Sequence, residues 1–143
     1  MPDIYLSTDI IVGFPGETDE DFEQTRELFE RVGYDMGFIF KYSKRTGTPA
    51  EVMADQISDA VKEKRNAVLL EILEKSSKVR GERLLGTTQE VLVEGWAKRG
   101  GKLEGRNRGG RKILFEGDER LIGNLVEVKI EKFTVSTLEG VVV

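Results

Sequence analysis

The chain has 143 residues, 34% charged and 38% hydrophobic, with a formal net charge of −4. That length suits one ordinary domain or two small ones, and no apolar run approaches the roughly 20 residues that span a bilayer. It contains no Cys and no His, which excludes disulfides, thiolate-held iron–sulfur clusters, the usual zinc sites, Cys or His nucleophiles and a Ser-His-Asp triad. A hard-cation site built from carboxylates alone stays open. With no basic-then-apolar opening of signal-peptide type, the expected location is the cytoplasm.

The first predicted element is a strand over Ile4–Val12, whose near-continuous apolar run suits a parallel strand covered on both faces. Alternation puts Asp9, Ile11 and Gly13 on one face and Thr8, Ile10 and Val12 on the other. A Gly-Phe-Pro-Gly turn follows. Thr18 then caps a helix, with Asp21 as a weaker capping-box acid. Asp19, Glu20 and Asp21 read as helix-start charges rather than a metal site, since they favour the positive end of the helix dipole. The helix runs to about Val32, with Phe22, Thr25, Leu28, Phe29 and Val32 as its core stripe and Gly33 as its stop.

Met36–Tyr42 is the second predicted strand, with Phe38, Phe40 and Tyr42 on one face. A strand–helix–strand unit of this spacing predicts a parallel crossover. The polar loop Ser43–Pro49 then lies on the same rim as the first turn. Its Lys44 and Arg45 could meet a phosphate or be ordinary solvated loop charges. Ser58 caps a long helix predicted over Asp59–Leu85, about 38 Å by its rise per residue. Val61, Val68, Leu69, Ile72, Leu73 and Val79 form its expected apolar stripe. Gly81 is a candidate early break and Gly86 the end.

From Thr87 the pattern changes to period two. Val91 and Val93, then Leu103, then Ile113 and Phe115, then Val126, Val128 and Ile130, and finally Gly140–Val143 mark about five short strands with Gly-rich turns. That reads as a small barrel. Charge is uneven along the chain: residues 1–86 hold 12 Lys/Arg against 17 Asp/Glu, residues 87–143 hold 10 against 9. Between Lys98 and Lys112 stand seven basic residues, Lys98, Arg99, Lys102, Arg106, Arg108, Arg111 and Lys112, with one acid, Glu104. This excess points to a polyanionic partner, the alternative being a solvated charged face. Arginines can grip phosphate bidentately and stack on bases. Trp96 and Phe115 are candidate stacking platforms, although alternation with Ile113 makes Phe115 a core residue.

Four stretches carry a family resemblance: STDIIVGFPGETDEDF at 7–22, YSKRTGTPAE at 42–51, LLGTTQEVLVEG at 84–95 and EGRNRGGRKILFEGDERLIGNLVEVKI at 104–130. In this order they resemble the C-terminal part of the MiaB-type tRNA methylthiotransferases, which are radical S-adenosylmethionine enzymes. The tail resembles the TRAM domain, a small RNA-binding barrel. Its Gly105-Arg106, Arg108, Arg111, Phe115 and Leu121-Ile122-Gly123 pattern favours the tRNA enzymes over relatives that modify a ribosomal protein. Pro2-Asp3 fits the family just before the strand, and Met1 then falls at a truncation point.

The resemblance implies an α/β fragment, the last strands and helices of a radical S-adenosylmethionine partial barrel, plus a small all-β TRAM/OB-like barrel. Its implied divisions are residues 1–57 for the partial barrel, 58–86 for a linker helix and 87–143 for the TRAM barrel. It implies methylthiolation of C2 of an N6-isopentenyl-type adenosine beside the tRNA anticodon. The full-length family uses S-adenosylmethionine and two 4Fe-4S clusters held by cysteines that this chain lacks. The chain is therefore expected to bind tRNA, to hold no cofactor alone and not to catalyse by itself. Ile11 and Gly13 match a cofactor-binding strand pattern, whereas Asp9 stands in place of its first glycine and the acid is displaced to Glu17. Lys98, Arg99, Lys102, Arg106, Arg108, Arg111 and Lys112 are the expected RNA contacts, with no DNA or membrane partner.

An alternative of a different class is a non-catalytic RNA-binding or interaction subunit that docks on a separate Cys-bearing protein holding the missing N-terminal and cluster-binding domains. A relative that modifies another tRNA base or a ribosomal protein is a further alternative. Two strands and one crossover helix leave edges and faces bare, so residues 1–57 are expected to be poorly stable or to oligomerise alone.

Overall fold

The structure, a computed structural model, describes residues 4–134 and 137–143. Pro2-Asp3 lie outside the described residues. The chain forms two compact units, Ser7–Ser76, and Ser77–Val143 together with the described part of Met1–Leu6.

The first unit starts with β1 (Ser7–Val12), α1 (Asp19–Val32) and β2 (Met36–Lys41). The two strands pair in parallel from Ser7 opposite Met36 to Val12 opposite Lys41, as the crossover spacing predicts. β1 begins at Ser7 rather than Ile4, because Ile4–Leu6 pack with the other unit. At the start of α1 the Thr18 amide donates to Asp21 Oδ2 at 2.9 Å and the Asp21 amide donates to Thr18 Oγ1 at 3.1 Å. Asp21 thus completes a full capping box. Gly33 closes the helix at φ 61°, its amide donating to Phe29 O.

A short 3-10 turn (Pro49–Val52) leads to α2 (Asp59–Glu82). Residues up to Ser76 belong to the first unit and the last turn and a half to the second. In the first unit Val12, Phe29 and Leu69 form the core, with Ile10, Phe22, Tyr34, Ile39 and Ile72 around them. The opposite face of the sheet is bare: Ile11 is 54%, Phe38 51% and Phe40 54% exposed, and the two Phe rings stack at 6.4 Å. The expectation of a strand covered on both faces therefore holds for one face only. Two residues of the expected stripes, Leu28 on α1 and Val79 on α2, face solvent. On α2 buried Lys62 and Arg65 take part of the inner face of the first unit. The helix ends at Glu82, three residues early, and Gly81 stays within it. A Cβ at Gly81 would lie 2.2 Å from the Phe133 ring, so close packing explains this glycine rather than a break.

The second unit is a closed five-stranded barrel in the order β3-β4-β5-β7-β6. Its strands are β3 (Thr88–Trp96), β4 (Leu103–Asn107), β5 (Lys112–Phe115), β6 (Leu125–Thr134) and β7 (Thr137–Val142). β5 and β7 pair in parallel and the other neighbours antiparallel. The core is Val91, Val93, Leu103, Ile113, Phe115, Val128, Ile130 and Leu138. All but Leu138 are inward positions that period two predicts. Leu138 falls outside the expected last strand because β7 starts at Thr137 rather than Gly140, and the expected Val126 is only half-buried. Closure leaves no free edge in the barrel. Among the described residues no helix is long and apolar enough to cross a membrane.

Candidate nucleic-acid interface

The seven cations of the basic segment fall into three places on the barrel. Lys98, Arg99 and Lys102 belong to the turn joining β3 to β4, next to half-exposed Trp96. Arg106 and Lys112 sit opposite one another on the outward faces of β4 and β5, in a row that continues through Leu92 on β3 to Leu125 on β6. Leu92 and Leu125 are exposed. Arg108 and Arg111 lie in the turn joining β4 to β5, at the other end of β4. A five-residue strand at ~3.4 Å per residue separates the two turns by roughly 14 Å.

Most of these cations already face a glutamate from another strand. Arg106 Nε lies 3.2 Å from Glu94 Oε1, Arg108 Nε donates to Glu90 Oε1 at 2.7 Å, and Lys112 pairs with Glu104. Lys102 Nζ donates to Glu139 Oε2 at 2.8 Å. That hydrogen bond raises the Lys102 ammonium above its ordinary range and holds the Glu139 carboxyl below its own. The excess of positive charge along the sequence is thus partly neutralised across strands. Exposed pairs of this kind contribute only ~0–1 kcal/mol each, so a phosphate can exchange for the glutamate. Lys98 and Arg99 are exposed and, among the described residues, have no such partner.

Arg111 is different. It is 8% exposed, and its guanidinium lies over the Tyr5 ring at 5.3 Å. Phe115 is fully buried, so of the two candidate platforms only Trp96 is accessible. Sequence reasoning missed Glu90, Glu94 and Glu139 as partners of the cations, and missed Tyr5 altogether. The outward alternation of Glu90, Leu92 and Glu94 along β3 is the one signal that marks that face.

In the first unit Ile11 stands on the bare face of the sheet. Gly13 is buried, at φ 72°, with its amide donating to Glu17 Oε2 at 2.7 Å. A Cβ there would lie 2.3 Å from Lys62 Cγ. Glu17 is also held by Arg65, which is 5% exposed and donates to Glu17 O at 3.1 Å, to the Glu17 carboxylate and to Asp19 Oδ1 at 2.7 Å. Burial works against the charge on Arg65, but the hydrogen bonds to Asp19 and Glu17 outweigh it and raise its pKa. The acid that follows the turn is therefore engaged inside the protein. Lys44 and Arg45 remain in an exposed loop. Among the described residues no cluster of acids could hold a metal ion.

The TRAM domain model matches residues 82–143. The chain is 57% identical over 138 residues, 96% of its length, to a tRNA-2-methylthio-N(6)-dimethylallyladenosine synthase of Opitutus terrae. It is 49% identical over 144 residues to the protein of that name in Acetivibrio thermocellus, and 47% identical over 144 residues to that of Carboxydothermus hydrogenoformans. The chain spans 29%, 30% and 33% of these three relatives, respectively. Residues 82–143 match the TRAM domain family, and the chain as a whole is similar to the C-terminal part, about 30% of the length, of the tRNA-2-methylthio-N(6)-dimethylallyladenosine synthases.

Proposed function

We propose that the chain is the tRNA-binding portion of a radical S-adenosylmethionine methylthiotransferase that acts in the cytoplasm on C2 of an N6-isopentenyl-type adenosine beside the anticodon. The observation that carries the reading is the outward row on the barrel: Lys112 and Arg106 continue into exposed Leu92 and Leu125, between turns bearing Lys98, Arg99 and Arg108. Cations along a strand face give sequence-independent phosphate contacts, and an exposed aromatic such as Trp96 offers a base a stacking surface. Lys98, Arg99, Lys102, Arg106, Arg108 and Lys112 act as direct contacts.

Residues 1–57 are the end of the cofactor barrel in this reading, residues 58–86 the linker helix and residues 87–143 the RNA-binding barrel. Ile11 fits an apolar wall for S-adenosylmethionine, because it is exposed at the carboxyl end of β1. Gly13 fits only as the turn behind that wall, since Lys62 fills the space beside it and Glu17 takes its amide. S-adenosylmethionine supplies radical chemistry in the complete enzyme; this chain supplies a surface for it. The 4Fe-4S clusters do not fit this chain, which has no cysteine to hold them. Bare Ile11, Phe38 and Phe40 support a covering partner in the rest of the enzyme, on the same or a separate chain.

Electrophoretic titration of unmodified tRNA with the chain tests the reading. Binding at low salt that a Lys98→Ala, Arg99→Ala, Arg106→Ala, Arg108→Ala combination abolishes is the expected result. Equal binding by the combined variant contradicts it.

A further inference from the structure

The turn between β4 and β5 contains two successive glycines, Gly109 and Gly110, the second at φ 89°. Glycine loses more backbone freedom on ordering than any other residue, so such a turn needs external support. Some of it is local. The Arg111 amide donates to Asn107 Oδ1 at 2.9 Å, the Asn107 amide to Arg111 O at 3.1 Å, and the Gly110 amide to Asn107 O at 2.9 Å. Arg106 Nη1 donates to Gly110 O at 3.1 Å. The remaining support comes from far upstream. The Tyr5 amide donates to Gly109 O at 3.0 Å, and the Arg111 guanidinium covers the Tyr5 ring. Arg80 Nη1, on α2, reaches Ile4 O at 3.4 Å.

We propose that Tyr5 is a positioning residue for the RNA interface: by stacking on Arg111 and binding Gly109, it fixes the turn that carries Arg108 and whose Gly110 carbonyl accepts from Arg106 on β4. The proposal rests on the reading of the barrel as an RNA-binding surface. Arg111 then serves as the anchor of the turn rather than as a phosphate grip. Tyr5 lies outside residues 82–143, the part that matches the TRAM family. The domain boundary drawn by sequence similarity therefore omits a residue on which the interface depends. The gain is preorganisation, since ordering the turn before RNA arrives removes that cost from binding. The guanidinium–ring contact supplies rigidity without making Arg111 available to a polyanion.

The test uses the whole chain, as wild type, Tyr5→Phe and Tyr5→Ala, titrated with tRNA at several salt concentrations, together with amide exchange at Gly109 and Gly110. Tyr5→Phe keeps the ring and is expected to bind like wild type. Tyr5→Ala is expected to bind about fivefold more weakly, the size of one cation–π contact, with the salt slope unchanged and with faster exchange at both glycines. Wild-type affinity in Tyr5→Ala overturns the proposal. So does tighter binding with a steeper slope, which would mean that Tyr5 masks Arg111. If Tyr5→Ala does not fold, Arg111→Lys keeps the charge but loses the flat stacking face, and unchanged affinity in that variant overturns the proposal. If wild type does not bind tRNA, the RNA reading itself fails and the proposed role falls with it; exchange in Tyr5→Ala then tells separately whether the brace exists.

Discussion

Arg65 donates to both the carboxylate and the main-chain carbonyl of Glu17, 48 residues away in sequence. Glu17 in turn accepts the Gly13 amide, so one buried ion pair fixes the turn at the carboxyl end of β1. Removing one member of such a pair leaves the other buried and uncompensated. Arg65→Met is therefore expected to destabilise the first unit by about 3 kcal/mol in urea unfolding. A loss below about 1 kcal/mol would mean that the pair does not hold the turn.

Two barrel glycines sit where neighbouring strands leave no room for a side chain. A Cβ at Gly105 would lie 2.3 Å from Leu92 O, and one at Gly140 2.2 Å from Lys129 O. Backbone cannot yield as a flexible side chain can. Gly105→Ala and Gly140→Ala are each expected to cost about 1–3 kcal/mol of barrel stability by thermal unfolding. Gly117→Ala meets only methyl groups of Leu103 and Leu121 at 2.9 Å and is expected to cost less. Equal effects at all three would contradict the close-approach account.

Two carboxylates titrate low for local reasons. The hydrogen bond from the Thr18 amide, then that from its hydroxyl, lowers Asp21, and the hydrogen bond from Lys102 lowers Glu139. A carboxyl whose folded pKa is depressed adds stability above its unfolded pKa and loses it as pH falls through the folded value. The α1 cap and the contact of Lys102, in the β3–β4 turn, with Glu139 on β7 are thus expected to weaken below about pH 4. Asp21→Asn and Glu139→Gln should each flatten the acid limb of a stability-against-pH curve. An unaltered acid limb in both variants would refute the assignment.

If the barrel binds RNA as proposed, the cross-strand glutamates compete with it for the arginines. Glu90→Gln frees Arg108 and is expected to tighten tRNA binding about two- to fivefold, as the exposed pair it removes contributes ~0.2–1 kcal/mol. Filter binding at fixed salt checks it. Weaker binding would place Glu90 among the RNA contacts instead.

Local rules made much of this chain legible. Thr18 with Asp21 announces α1, Gly33 ends it, and strict alternation at Val91, Val93, Ile113, Phe115, Val128 and Ile130 marks the barrel core. α2 was legible in part: of its expected stripe Leu69 is buried and Val61, Val68, Ile72 and Leu73 are half-buried, and Val79 alone is exposed. Its inner face carries Lys62, Arg65, Asn66 and Ser76, and Asn66 and Ser76 donate to Ile39 O and Tyr34 O. Leu70 and Val79 meanwhile face water. Polar residues held on that face by hydrogen bonds to distant carbonyls leave no mark in the apolar period. The basic segment shows the same limit. Its cations are adjacent in sequence, but Glu90, Glu94 and Glu139 reach them only through strand pairing. Nothing near Tyr5 announces that its ring meets Arg111.

The central claim is that the barrel of this chain binds tRNA through its exposed cations. Affinity measured across a range of salt concentrations tests it most directly. With four or five phosphates contacted, log affinity is expected to fall against log salt with a slope of roughly −3 to −4.5. Absence of binding at low salt, or an affinity indifferent to salt, would contradict the account.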